Sequence, residues 1–164
     1  CPEIVDITFI NNKLHRIYSD KIIISNGLNL IDCDTIYNEK IEKGDVVLVR
    51  TGRWKEKIKN GDWDTSKLST GLNYRVAILL SERKVSVLGS DGTNDLQPSP
   101  IPEEGSPIHK LTLVSMGMPL LDNLNLENIA EEAIKQNKWE FLIAIQPIRF
   151  KGGTGSPVNA VAIF

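Results

Sequence analysis

Two short apolar runs, separated by a helical pattern, constrain the fold of this chain most strongly. Residues 46–49 are continuously apolar, and residues 85–88 are largely so. Runs of this length are typical of strands that are buried on both faces of a parallel sheet. Between them, residues 71–83 carry apolar side chains at helical spacing, and Ser69 or Thr70 is placed to cap the helix. The pattern predicts a right-handed strand–helix–strand unit and hence an α/β fold.

Further elements are predicted on both sides of this unit, within a single domain over residues 1–164. The polar stretch 50–69 predicts a long excursion, with its basic part, residues 50–59, as a solvated loop. Residues 111–114 are predicted to be a strand or the start of a helix. The remaining predicted elements are strands over 4–10, 21–25, 141–148 and 158–164 and an amphipathic helix over 126–134.

Composition and charge exclude several function classes. The 164 residues contain 19 basic and 21 acidic side chains, a net charge of −2, so the broad attraction that drives nucleic-acid binding is missing. No apolar stretch approaches the length of a membrane span, and no signal peptide is visible. Two cysteines, Cys1 and Cys33, are too few for a disulfide scaffold. We therefore expect a cytoplasmic protein with no nucleic-acid or membrane partner.

Candidate chemistry begins where the second apolar run ends. Asp91 and Asp95 flank Gly92 in a polar cluster over residues 90–95. In parallel sheets, ligands gather at the carboxyl ends of the strands, which makes this cluster a candidate site. An Asp- and Asn-stabilised turn is the alternative interpretation.

His109 is the second candidate. It follows a proline-rich stretch and precedes Asp122, and a histidine and a carboxylate can share a metal ion or form an acid–base pair. A structural histidine is the alternative. The chain contains one other histidine, His15, whereas a catalytic metal site usually takes three protein ligands. A metal site would therefore need carboxylates or further residues.

Three other features carry weaker signals. The glycine-rich segment 152–157 lacks the ending of a phosphate-binding loop, so a hairpin connection is the better interpretation. Cys33 lies between two aspartates, which disfavour a reactive thiolate. Trp54 is interpreted as a packing or pocket-wall residue.

Four segments resemble, in order, motifs of the cyclase family, which includes kynurenine formamidase and isatin hydrolase. Their sequences are GDVVLVRTGRW at 44–54, LGSDG with Asp95 at 88–95, IH with GMPLLDNL at 108–124, and GGTGSPV at 152–158. The resemblance implies a swivelling β/β/α fold with a mixed sheet and flanking helices. It also implies a metal-dependent hydrolase or cyclase, in which zinc or manganese activates water to open an amide or lactam.

The resemblance also suggests residue roles. His109 and Asp122 match metal-site positions, although the family usually has a glutamate where Asp122 stands. Asp91 and Trp54 are assigned to substrate binding. The family's main metal motif, H-x-G-T-H-x-D, has no counterpart, and His15 does not fit it. We therefore expect the chain to be the carboxyl-terminal part of an incomplete cyclase-like domain, which acts on a small molecule and pairs with a missing segment or forms a homo-oligomer.

Two alternatives stay open at this stage. The chain could keep the fold without a metal site, as a non-metal cyclase or as a small-molecule-binding or scaffold protein. It could also be a structural subunit of a homo-oligomer, because a partial domain would expose apolar surface and strand edges that need covering.

Overall fold

The computed structural model describes residues 41–164 and, ahead of them, only the backbone of five short strands. The chain divides into two compact units, Cys1–Leu126 and Glu127–Phe164, and the single domain over 1–164 stays a prediction. The predicted strands over 4–10 and 21–25 coincide at their last residues with two described strands. Outside the described residues lie 4–8, 21–23, Cys1, His15 and Cys33.

The elements are numbered in chain order. The strands are β1 (Phe9–Ile10), β2 (Lys13–Leu14), β3 (Tyr18–Asp20), β4 (Ile24–Ser25), β5 (Leu30–Ile31), β6 (Val46–Arg50), β7 (Val87–Ser90), β8 (Leu120–Leu121), β9 (Leu142–Ala144) and β10 (Val161–Ile163). The helices are α1 (Arg53–Asn60), α2 (Val76–Glu82), the short turn α3 (Pro107–His109), which runs into a π-helix (Lys110–Met116), and α4 (Glu127–Gln136). No helix among these described elements is long and apolar enough to cross a membrane.

Four strands form a mixed sheet in the order β3-β6-β7-β8. β6 is parallel to β7, with Val46 opposite Val87, and β7 is parallel to β8, whereas β3 is antiparallel to β6. Helix α2 lies between β6 and β7 in the chain. The predicted strand–helix–strand unit and the α/β class are therefore confirmed, although β7 begins and ends two residues later than predicted.

The hydrophobic core includes apolar side chains from each of β6, α2 and β7. Leu88 on β7 and Ile108 on α3 are fully buried. Burial of this kind contributes roughly 25 cal/mol for each Å² of apolar surface removed from water. The buried cluster consists of Ile41, Val47, Val49, Leu72, Val76, Leu80, Val85, Leu88, Ile108 and Met118.

The solvated loop predicted over residues 50–59 is wrong. Arg50 is a buried residue at the end of β6, and the residues from Arg53 onward form helix α1. The prediction followed the polar composition, but the amino terminus of this short helix is held by a carboxylate about 40 residues away in the chain. Sequence spacing cannot reveal such a contact.

Helix α2 begins at Val76 rather than at residue 71, and neither Ser69 nor Thr70 caps it. Leu72 lies ahead of the helix, and its backbone N–H donates to the Asn94 carbonyl at 2.7 Å instead of joining the helical hydrogen bonds. The region predicted as a strand or the start of a helix, residues 111–114, lies within the π-helix.

The second unit contains α4 and the antiparallel pair β9–β10, in which Val161 lies opposite Ala144. A further bridge joins Pro147 to Val158. The glycine-rich segment 152–157 lies between these paired residues, as the hairpin interpretation predicted. The helix and both strands were predicted in these regions, and the strands are shorter than predicted.

Gly71 lets two backbone segments pack closely, which generates a first prediction. A Cβ at this position would lie 2.3 Å from the carbonyl carbon of Asp95 and 2.7 Å from the Asn94 oxygen. Because both neighbours are backbone atoms, we expect Gly71→Ala to lower the free energy of unfolding by about 1–3 kcal/mol. Urea denaturation measures this change.

Gly105→Ala is the matched control, because a Cβ at Gly105 would meet nothing within 4 Å. It should leave the urea midpoint close to that of the wild type. Equal midpoints for all three proteins would contradict the close packing at Gly71.

Candidate active site

Asp91 directly follows β7 and is completely buried, with 0% of its surface exposed. Its carboxylate accepts four hydrogen bonds. Oδ1 accepts from the Thr51 backbone N–H and hydroxyl, both at 2.8 Å, and Oδ2 accepts from the backbone N–H groups of Gly52 at 3.1 Å and Arg53 at 3.2 Å. The side chain therefore joins the end of β7 to the segment that follows β6.

These contacts place a carboxylate at the amino terminus of α1, where unpaired backbone N–H groups favour negative charge. Gly52 has the left-handed φ of 84° that turns the chain from β6 into the helix. Burial raises the pKa of the Asp91 carboxyl, and the hydrogen bonds from Thr51, Arg53 and Gly52 oppose that rise. Asp91 thus caps a helix that is distant in sequence.

His109 lies between two carboxylates. Its Nδ1 is 2.5 Å from Oδ2 of Asp95, and its Nε2 is 3.1 Å from Oδ2 of Asp122. Asp95 has only 3% of its side chain exposed, whereas Asp122 has 32% and His109 has 31%. The Nδ1 edge of the imidazole is therefore held by a buried carboxylate, and the Nε2 edge contacts a more accessible one.

Each of the two carboxylates is itself held. The Ile108 N–H donates to Oδ1 of Asp95 at 2.6 Å, so Asp95 also fixes the start of the short helix that carries His109. The Asn94 side-chain amide donates to Oδ1 of Asp122 at 2.7 Å and to the Leu121 carbonyl at 3.2 Å. Of two consecutive residues in one loop, Asn94 thus holds one partner of the imidazole and Asp95 is the other.

Electrostatics at His109 favour the charged imidazolium. Partial burial lowers the pKa of His109, but the hydrogen bond to Asp95 and the negative charges of Asp122 and Asp95 outweigh it. The net effect raises the pKa of His109 above its ordinary value of 6.5.

Arg53 and Trp54 extend the cluster from the start of α1. The Arg53 guanidinium donates to the Asp91 backbone carbonyl at 3.1 Å and to the side-chain oxygen of Asn123. The Trp54 indole N–H donates to the Leu124 carbonyl at 2.8 Å, and its ring lies beneath the Arg53 guanidinium at 5.5 Å. Both side chains therefore connect α1 to the segment that contains Asp122.

The structure thus brings Asp122 to His109, and it connects Asp91 and Trp54 through α1 to the segment that contains Asp122. Asp91 is buried and acts there as a helix cap, so its predicted contact with a substrate, like that of Trp54, stays a prediction. Sequence analysis missed the roles of Asn94 and Asp95, although both lie in the 90–95 cluster. Their spacing to His109 and Asp122 carries no local signal.

Two solved structures are similar to this chain. A crystal structure of a novel cyclase matches with a TM-score of 0.63 and 24% identity, over 77% of this chain and 42% of that one. A potential metal-dependent hydrolase with cyclase activity matches with a TM-score of 0.53 and 20% identity, over 80% of this chain and 57% of that one. The fold is the cyclase fold.

The structural comparison confirms the resemblance at the level of the fold. The chain spans about half the length of these two cyclase-fold proteins. No protein-family model and no curated protein matches it. The similarity to these solved structures therefore extends to the fold.

The donor chemistry of the site suits a divalent metal as a partial set. His109 Nε2 and Asp122 Oδ2 are a nitrogen and an oxygen donor that face each other, and zinc and manganese accept both types. Asp95 on Nδ1 is the outer partner that metal-bound histidines usually have. Within the described residues, no group of three His, Cys, Asp or Glu side chains is arranged to hold a metal. The pair fits as two ligands of a larger set.

The capping role of Asp91 generates a second prediction. Asp91→Asn keeps the shape of the side chain but turns an NH2 group toward backbone and hydroxyl donors. We expect the free energy of unfolding to fall by about 1–3 kcal/mol, the cost of leaving buried donors unpaired. Thermal and urea unfolding measure this loss.

Asp62→Asn is the control, because the Asp62 side chain is 83% exposed and pairs with Lys57 at the surface. Its loss should cost less than about 1 kcal/mol. An Asp91→Asn variant with wild-type stability would show that the carboxylate has no structural role.

Proposed function

We propose that this chain is part of a metal-dependent hydrolase or cyclase that acts on an amide, lactam or related C–N bond of a small molecule. The observation that carries the proposal is the paired donor set of His109 Nε2 and Asp122 Oδ2, 3.1 Å apart, with Asp95 behind the imidazole. The cyclase fold supports the same conclusion, since one of the similar structures is a potential metal-dependent hydrolase with cyclase activity.

In this proposal, His109 and Asp122 hold a divalent ion, zinc or manganese. A bound ion of this kind lowers the pKa of a coordinated water and polarises a carbonyl oxygen. Asp95 keeps the imidazole oriented, and Asn94 keeps the Asp122 carboxylate turned toward it. Further ligands would come from residues outside this chain, on a missing segment or on a second copy.

The walls of the proposed site come from α1 and from the segment after β8. Trp54 offers an aromatic surface, and Arg53 offers a guanidinium that is bound only to neutral oxygens of the described residues. Asp91 supports both by capping the helix that carries them. We therefore propose that Trp54 and the loop at Asp91 shape the substrate pocket.

The proposal includes the context of the site. A small molecule is the substrate, a homo-oligomer or a preceding segment completes the site, and the cytoplasm is the compartment. These statements depend on the partial donor set and on the composition.

A specific observation favours a second candidate, a cyclase-fold protein that works without a metal. Both ring nitrogens of His109 already face carboxylates, an arrangement that can bind a small molecule or move a proton without an ion. The metal-dependent function is preferred because Asp122 is accessible and lies on the open side of the imidazole.

Metal affinity separates these candidates, which is the third prediction. Isothermal titration of the metal-free protein with Zn²⁺ or Mn²⁺, in the presence of the segment or second copy that completes the site, should show binding. His109→Ala and Asp122→Ala should each weaken it at least about tenfold, a loss of roughly 1.4 kcal/mol, because each removes one proposed ligand.

His15→Ala is the matched control, since it removes the other histidine of the chain. It should leave the affinity at the wild-type value. Binding of equal strength in all four proteins, or no binding by the completed wild type, would contradict the proposed metal site and favour the second candidate.

A further inference from the structure

Asn94 and Asp95 form a connected pair beneath the His109–Asp122 site. Both are buried, with 0% and 2% of their surfaces exposed. Asn94 has a left-handed φ of 58°, which is uncommon for a residue with a side chain. The Leu72 N–H holds the Asn94 carbonyl at 2.7 Å, so the backbone at this point is tied to a neighbouring segment.

Hydrogen bonds from its NH2 group orient the Asn94 side chain, whereas its amide oxygen accepts none from the described residues. Its nitrogen donates to the Leu121 carbonyl and to Asp122. Its buried oxygen has no hydrogen-bond partner among the described residues. A buried polar atom without a partner is costly, and such costs are concentrated at functional sites. The arrangement leaves Oδ2 of Asp122 facing His109.

The two carboxylates around His109 compete unequally for one proton. The contact from Nδ1 to Asp95 is 2.5 Å long, whereas the contact from Nε2 to Asp122 is 3.1 Å long. Asp95 is also the drier partner, with 3% of its side chain exposed against 32% for Asp122. A shorter hydrogen bond to a carboxylate in a less polar environment is the stronger one.

We propose that Asp95 is a positioning residue that fixes neutral His109 as the Nδ1–H tautomer. The Nε2 lone pair then faces Asp122, which Asn94 holds in place. This orientation is the one that a metal-ligating or proton-accepting Nε2 needs. The inference deepens the proposed function and rests on it for its chemical consequence, but the tautomer itself is a property of the protein without metal.

Long-range proton–nitrogen NMR on the histidine-labelled, metal-free protein tests the proposal, because it distinguishes protonated from unprotonated ring nitrogens. The measurement is made at a pH where the imidazole is neutral, and a His109→Ala spectrum assigns the signals. In the wild type, we expect the Nδ1–H form in at least about tenfold excess, which corresponds to about 1.4 kcal/mol.

Asp95→Asn should reverse the ratio, because its NH2 group can donate to Nδ1 and leave the proton on Nε2. Asp122→Asn is the matched control, since it alters the other ring contact at a more exposed position, and it should keep the Nδ1–H form. A purely structural Asp95 would leave the tautomer of folded Asp95→Asn unchanged, which overturns the proposal.

The wild-type spectrum keeps the proposal falsifiable even if Asp95→Asn does not fold. A wild type with mainly Nε2–H overturns it, whether or not the protein binds metal. A wild type with mainly Nδ1–H that fails to bind Zn²⁺ supports the positioning role while the proposed metal function fails. The two ideas are therefore tested by separate measurements.

Discussion

The rest of the site depends on the hydrogen bonds that the buried Asp91 carboxylate accepts. It stands at the carboxyl end of β7 and accepts hydrogen bonds from the segment that follows β6, so two parallel strands and a helix meet at one side chain. Removing a carboxylate from water is costly, and four donors offset that cost only while the helix start stays in place. Arg53 and Trp54 owe their positions to this cap, and through them α1 reaches the segment that follows β8.

A second constraint acts beside the first. The loop over 90–95 packs so closely on residue 71 that only glycine fits there, and it presents Asn94 and Asp95 to residues far along the chain. Parallel strands bring such loops together because their carboxyl ends share one edge of the sheet. The site is therefore assembled from three loops and the short helix α3, which carries His109, rather than from one motif.

Sequence analysis anticipated the parts of the fold that depend on local pattern. The apolar runs of β6 and β7 and the helical spacing of α2 are strong signals, because burial on both faces and a 3.6-residue period leave a direct mark on the sequence. Helix α1 left no such mark. Its residues are mostly polar, and its amino terminus is capped by Asp91, which is distant in the chain. Helix α2 begins later than predicted for a similar reason, since the Leu72 N–H donates to the carbonyl of Asn94, which is distant in the chain.

Sequence analysis anticipated only part of the site, because the contacts that complete it join residues that are distant in the chain. The resemblance predicted His109 and Asp122 as site residues because their motifs match in order, and the two side chains lie together, but nothing in their spacing shows that Asp95 lies behind the imidazole. The resemblance also expected a glutamate at position 122, one methylene longer. Asp122 nevertheless comes within 3.1 Å of Nε2, because Asn94 fixes its other oxygen. A shorter side chain has fewer rotamers to lose, so a firmly held aspartate can replace a longer, freer glutamate at such a position.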